Sequence, residues 1–157
     1  FSSIITCRGI PIIFSKSPTV IFSRTVTRCV DSLSIIAGEI PSYQIAENEN
    51  FYAFLDIFPM AYGHVLVVPK TEVDNMFDLD AIYLSELIVF AKPIAKAIEK
   101  TFDCNRCGMA VIGLEVPHAH LHLVPISSAD DLNFTRPKLK LSAEELKEVQ
   151  EKIIALL

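Results

Sequence analysis

Three of the four histidines in this chain stand at every second position within Pro117-His118-Ala119-His120-Leu121-His122-Leu123-Val124-Pro125. A period of two is that of a β-strand, whose successive side chains point to opposite faces. His118, His120 and His122 are therefore expected on one face, and Ala119, Leu121 and Leu123 on the other. Proline cannot donate to a sheet ladder and favours strand ends, so Pro117 and Pro125 bound the expected strand. A single histidine on an apolar strand is ordinarily a satisfied core residue. Three in register need three hydrogen-bond partners or a water-filled pocket, which makes this face the candidate site.

Imidazole binds zinc and also attacks phosphorus, so both chemistries have to be weighed. His118 and His122 are four residues apart, about 13 Å along a strand. Imidazole plus a Zn–N bond reaches only roughly 5–6 Å from each Cβ, so the triplet does not close on one ion. No H-E-x-x-H or Asp-rich constellation accompanies it. A phosphate is large enough to meet neighbouring imidazoles along a strand, one attacking phosphorus while others donate to its oxygens.

The rest of the chain supplies a sheet and helices for this strand. Asp31 to Ile36 reads as a short helix capped by Asp31 and closed by Gly38. Tyr43–Ala46 and Phe51–Ile57 read as strands joined across the polar turn Glu47-Asn48-Glu49-Asn50. Phe58 to Gly63 is a loop, and His64–Val68 a third strand ended by Pro69. Asp56 and His64 then face each other across that loop. From Leu79 to Phe102 the apolar spacing turns helical through Leu84, Leu87, Ile88, Ala91, Ala95 and Ile98, with Pro93 removing one backbone donor and kinking the helix. Gly108 to Ile112 is a fourth strand, Gly113 a turn or bulge, and the histidine strand the fifth. Ser142 and Glu145 form a capping box for a C-terminal helix with Leu146, Val149, Ile153 and Leu157 on one side. The order β-β-β-α-β-β-α predicts an α+β domain, an antiparallel five-stranded sheet with the long helix and the C-terminal helix packed on it.

Residues 1–30 stand apart. They carry Arg8, Lys16, Arg24 and Arg28 and no acid, whereas all nineteen acidic residues lie from Asp31 onward. Two explanations remain open, a transit-like leader or upstream sequence outside a domain spanning 31–157. The net charge of −5 disfavours a nucleic-acid partner but permits a single nucleotide. No apolar run reaches the length of a membrane span. Cys7, Cys29, Cys104 and Cys107 do not suggest a disulfide framework, and the C-x-x-C at 104–107 lacks the second pair that a zinc site needs.

His118-Ala119-His120-Leu121-His122-Leu123-Val124 resembles the His-φ-His-φ-His-φ-φ signature of the histidine triad (HIT) hydrolases, φ being apolar. Ile35-Ile36-Ala37-Gly38-Glu39-Ile40-Pro41 and the stretch from Phe54 through Asp56 and His64 to Lys70 look like that family's other two motifs, in the same order. The resemblance implies that His120 attacks the α-phosphorus of a nucleoside phosphoramidate or dinucleotide polyphosphate, giving a nucleotidyl-histidine that water hydrolyses. By the same resemblance His118 orders that arrangement, and His122 and His64 donate to the phosphate oxygens. Asp56 accepts the ribose hydroxyls or, in the local reading, caps a turn. Ile35, Phe54 and Ile57 enclose the purine or are core residues.

His122 further implies hydrolysis, since nucleotidyl transferases of the galactose pathway and dinucleoside polyphosphate phosphorylases carry Gln there. The chain departs from the family where Gly-Gln-Ser/Thr-Val often precedes the triad. Gly113-Leu114-Glu115-Val116 stands instead, with Glu115 either turned away or a buried, protonated acid toward the leaving group. The resemblance implies a purine nucleotide substrate and a homodimer to which the Leu84–Ile98 helix face contributes, with neither metal nor other cofactor. The location expected is cytoplasmic, or mitochondrial if residues 1–30 are a transit peptide. The rival readings are a non-catalytic nucleotide-binding or scaffolding module and a metal-dependent hydrolase.

Overall fold

The structure is a computed structural model that describes Ile4–Cys7, Ile10–Ile13 and residues 32–157. The chain divides into two units, Phe1–Val30 and Asp31–Leu157. In the first, β1 (Ile4–Cys7) and β2 (Ile10–Ile13) pair antiparallel.

The second unit opens with α1 (Ser32–Ile36), which ends where Gly38 takes a φ of 73°, a left-handed conformation that glycine adopts without a Cβ penalty. The expected cap at Asp31 lies outside the described residues. A five-stranded antiparallel sheet follows, in the order β3-β4-β5-β7-β6. Its strands are β3 (Gln44–Glu47), β4 (Phe51–Leu55), β5 (Val65–Pro69), β6 (Arg106–Ala110) and β7 (Leu121–Ile126). Between β5 and β6 runs α2 (Ala81–Thr101), capped by Asp80, whose carboxylate accepts from the Ile82 and Tyr83 amides. After β7 comes α3 (Ala143–Ile154), opened by the Ser142–Glu145 capping box that the sequence predicts. The α+β architecture is as expected from the sequence.

The core lies between one sheet face and the two longer helices. Ala53, Leu55, Val65, Val67, Leu121 and Leu123 meet Leu87, Ala91, Ile94 and Ile98 of α2 and Leu146, Val149 and Ile153 of α3. Full burial of a side chain such as Leu87 or Ile98 stabilises the fold by about 1.5–3 kcal/mol. The α2 stripe differs from the sequence reading, because Ile94 and Ala97 are buried while Ile88 is 40% exposed. α2 continues undivided through the exposed Pro93. Leu157 is exposed and not on the buried side of α3.

Two further differences concern the histidine strand. The ladder begins only at Leu121, so His122 lies in the sheet while His118 and His120 lie in the segment leading into it. Pro125 is within β7 rather than at its end. The Cys107 amide opposite it points away from β7 and donates to Glu99 at 3.0 Å, the orientation of a non-hydrogen-bonded pair whose carbonyl also turns away, and β5 leaves the pairing at Leu123. Neither neighbour therefore asks that position for an N–H. Alternation nevertheless survives, with Ala119, Leu121 and Leu123 in the core.

Candidate active site

The opposite sheet face carries the histidines. Phe54, Leu66, His122 and Ala110 are successive cross-strand partners and form one row across β4, β5, β7 and β6. His120 stands just before this row and is half-buried, its ring edge-on to His122 with centroids 4.8 Å apart.

The main chain around His120 fixes its chemistry. Its Nδ1 lies 2.7 Å from the His118 carbonyl. A carbonyl only accepts, so Nδ1 carries the proton and Nε2 keeps a lone pair. Two further bonds hold the segment still: the His118 Nε2–H donates to the Pro69 carbonyl at 2.9 Å, and the Ala119 amide to the Val73 carbonyl at 2.7 Å. His118 thus acts through its carbonyl on His120 and through its ring on the end of β5. Its Nδ1 is buried and finds no partner among the described residues.

A second chain of bonds runs through His64. The Met60 amide donates to His64 Nδ1 at 3.2 Å, so His64 holds its proton on Nε2. That Nε2–H donates to His122 Nδ1 at 3.0 Å. His122 must then carry its own proton on Nε2, the atom left to meet a ligand. His64 is 1% exposed, with one ring nitrogen on the Met60 amide and the other on His122.

Asp56 Oδ1 accepts from the Phe58 amide at 2.8 Å, the turn role, while Oδ2 lies 3.5 Å from His64 Nδ1. The loop between them needs glycine at 63, where φ is 88° and a Cβ would run into the ring of Phe102. Asp56 and His64 are joined across it by the Asp56 amide and the His64 carbonyl at 3.1 Å.

Burial pushes both inner rings down from the ordinary imidazole value of about 6.5 to about 3, helped at His64 by Lys138 and at His122 by His64. Both are neutral at physiological pH, so the Asp56 contact is not an ion pair. The unfolded chain takes up these protons below about pH 6.5 and the folded chain only near pH 3. Stability is therefore whole above pH 6.5 and lost progressively as pH falls toward 3. Urea midpoints between pH 7.5 and 4 are expected to fall, and to fall less in His64→Gln. Equal slopes would contradict this origin.

Of the apolar site candidates, Ile35 and Phe54 are each 4% exposed, while Ile57 is 42% exposed beside Asp56. Glu115 is exposed, so the buried environment that the general-acid reading requires is missing. Leu114 is 78% exposed. Sequence reasoning missed Phe134, whose ring stands edge-on to His122 at 4.7 Å, and Lys138, whose Nζ lies 4.9 Å from the Phe134 centroid. The only signal was an aromatic and a lysine in an otherwise polar stretch. A recess of about 520 Å³ lined by Tyr62, Phe102, Cys104 and Arg136 contains none of the histidines. Its Arg136 already pairs with Asp130 and Asp131. Cys104 and Cys107 are free, and burial pushes the Cys107 thiol up to about 12. Among the described residues no group of three or more His, Cys, Asp or Glu could hold a metal ion.

Comparison with known proteins identifies the family. The model of the HIT domain matches residues 37–129, more than half of the chain. The chain belongs to the HIT family. Among its HIT relatives is the adenosine 5′-monophosphoramidase of Saccharomyces cerevisiae, 38% identical over 58% of this chain and 58% of that protein. The adenosine 5′-monophosphoramidase of Schizosaccharomyces pombe is 31% identical over 76% of this chain and 91% of its own length. A crystal structure of a HIT-like protein from Bartonella henselae, described as involved in cell-cycle regulation, superposes with a TM-score of 0.67. It is 30% identical and covers 79% of this chain and 93% of that one. A zinc-bound histidine triad family protein from Mycobacterium smegmatis has the same TM-score of 0.67 at 28% identity, covering 82% and 91% of the two chains.

Proposed function

We propose that this HIT protein hydrolyses a nucleoside 5′-phosphoramidate or a dinucleoside polyphosphate at the α-phosphate through a nucleotidyl-His120 intermediate. The observation that carries this reading is the 2.7 Å bond between His120 Nδ1 and the His118 carbonyl, which leaves Nε2 with a lone pair. In the first step that lone pair forms an N–P bond as the bond to the leaving group breaks. A polyphosphate departs as an anion, whereas an amine takes a proton from water. His120 is then a phosphorylated imidazolium whose Nδ1–H stays on the His118 carbonyl. In the second step water attacks phosphorus, the N–P bond breaks, and the nucleoside monophosphate leaves with a proton released to solvent.

His122 Nε2–H is the donor for the phosphate oxygens as charge develops, held in that tautomer by His64. Asp56 Oδ2 is the acceptor for a ribose hydroxyl, and the exposed Ile57 gives the base an apolar surface. The names of the two yeast relatives support the phosphoramidate as a substrate. One observation favours a second reading, a purine-nucleotide-binding module without turnover. Leu114 and Glu115 are exposed and offer no neutral donor to a leaving group.

The same reading includes a homodimer. The Leu84–Ile98 face cannot supply its contact, because Leu87, Ala91, Ile94 and Ile98 are buried in the core. The surface that supports a dimer is the edge of β6, unpaired among the described residues, with Met109, Val111 and Ile112 exposed beside it and Ile82 and Val89 exposed on α2. Among the described residues no helix is long and apolar enough to cross a membrane. A cytoplasmic location, or an organellar one if residues 1–30 are a transit peptide, is part of the proposal.

The test is release of AMP from adenosine 5′-phosphoramidate and from diadenosine polyphosphates in excess chelator. Turnover of either is expected, and the better substrate names the leaving group. AMP binding without release from any of them would replace the hydrolase by the binding module, and turnover lost in chelator would revive the metal-dependent reading.

A further inference from the structure

The two inner histidines bring no positive charge to the site. His64 and His122 are neutral, and Asp56 adds a negative group within 3.5 Å of His64. An anionic phosphate entering here loses part of its hydration and needs a counter-charge. Leu114 and Glu115, ahead of the histidines, bring none.

The segment after β7 does bring one. Phe134 is edge-on to the His122 ring with centroids 4.7 Å apart, and Lys138 Nζ lies 4.9 Å from the Phe134 centroid. No more than these two distances laid end to end separates the ammonium from His122. Lys138 is half-buried. Its field reaches both inner histidines, where it disfavours a second positive charge.

From this juxtaposition we propose that Lys138, seated on Phe134 beside His122, binds the phosphate oxygens of the substrate and selects substrates whose leaving group is itself an anion. The inference rests on the hydrolase reading for its consequence on turnover, and on the geometry alone for its consequence on phosphate binding. A lysine ammonium is a point charge without preferred geometry, so it follows the oxygens of a phosphate chain more readily than a fixed fork does. An amine leaving group offers it nothing to hold.

The test uses the full chain as wild type, Lys138→Met and Lys138→Arg. Affinities for AMP and adenosine are compared by calorimetry, and kcat/KM on a dinucleoside polyphosphate and on adenosine 5′-phosphoramidate by AMP release. In Lys138→Met, AMP is expected to bind about tenfold more weakly and adenosine equally well, with Arg restoring AMP. The dinucleoside polyphosphate is expected to lose on the order of 100-fold in kcat/KM, and the phosphoramidate far less. Equal losses for AMP and adenosine, or for the two substrates, would overturn the proposal and leave Lys138 a structural residue. If the wild type turns over neither substrate, the hydrolase reading fails, and the AMP–adenosine comparison still decides whether Lys138 holds phosphate. Should the wild type bind neither ligand, both fall.

Discussion

His120→Ala is expected to lower kcat for AMP release by about 10⁴-fold or more while leaving AMP affinity within a few-fold of wild type. The ring is half-buried and its Nδ1 bond is to a main-chain carbonyl, so its loss leaves no buried charge behind. The fold should survive, because Ala119 and Leu121 on either side hold the core face independently. Direct attack by water on the substrate is the only route left to the variant. Residual turnover near one tenth of wild type would mean that the nucleophile is water or another group.

The second large effect is expected at His64, whose two ring nitrogens both have partners within the protein. His64→Leu removes the Nε2–H that donates to His122 Nδ1 at 3.0 Å. His122 is then free to move its proton to Nδ1, turning a lone pair toward the phosphate where a donor is needed. A loss of about 100-fold in kcat follows from removing one aimed donor. Stability should fall by about 1–3 kcal/mol, because the half-buried Met60 amide and the buried His122 Nδ1 lose their partner. The two effects are separable. His64 is among the causes that depress His122, so its removal should raise the His122 pKa, read from the titration of that ring by NMR. His64→Gln, which can still donate, should recover part of kcat. A rate loss no larger than the unfolded fraction explains, with an unmoved His122 titration, would make His64 a packing residue only.

The comparison between sequence and structure turns on where local rules were sufficient. Alternation along 118–123 was enough to send Ala119, Leu121 and Leu123 into the core, because face selection depends only on the period of the backbone. It was not enough to say that the ladder starts at Leu121, since that depends on where β5 ends and on His118 being tied to Pro69. The capping box at Ser142 and the left-handed Gly38 are short-range chemistry and were legible. The face of α2 was only partly so: its 21 residues are apolar on more than one side, and packing decided that Ile94 is inside and Ile88 outside.

The candidate site shows the same division. Its histidines announce themselves by spacing, and Asp56 and His64 by their places on either side of one loop. The direction of the His64 bonds is a tertiary fact, fixed by the Met60 amide and by the partner on β7, and nothing in the spacing states it. Phe134 and Lys138 come from a segment with no strong periodicity, and only the fold brings them beside His122.

The most direct measurement is a rapid quench of the wild type with a substrate labelled at the α-phosphate, followed by peptide mapping. The account predicts label on His120, lost in acid and kept in base as expected for an N–P bond, forming and decaying at rates that support turnover. His120→Ala should carry none. Turnover in the wild type with no labelled protein at any time, or label on a residue other than His120, would contradict it.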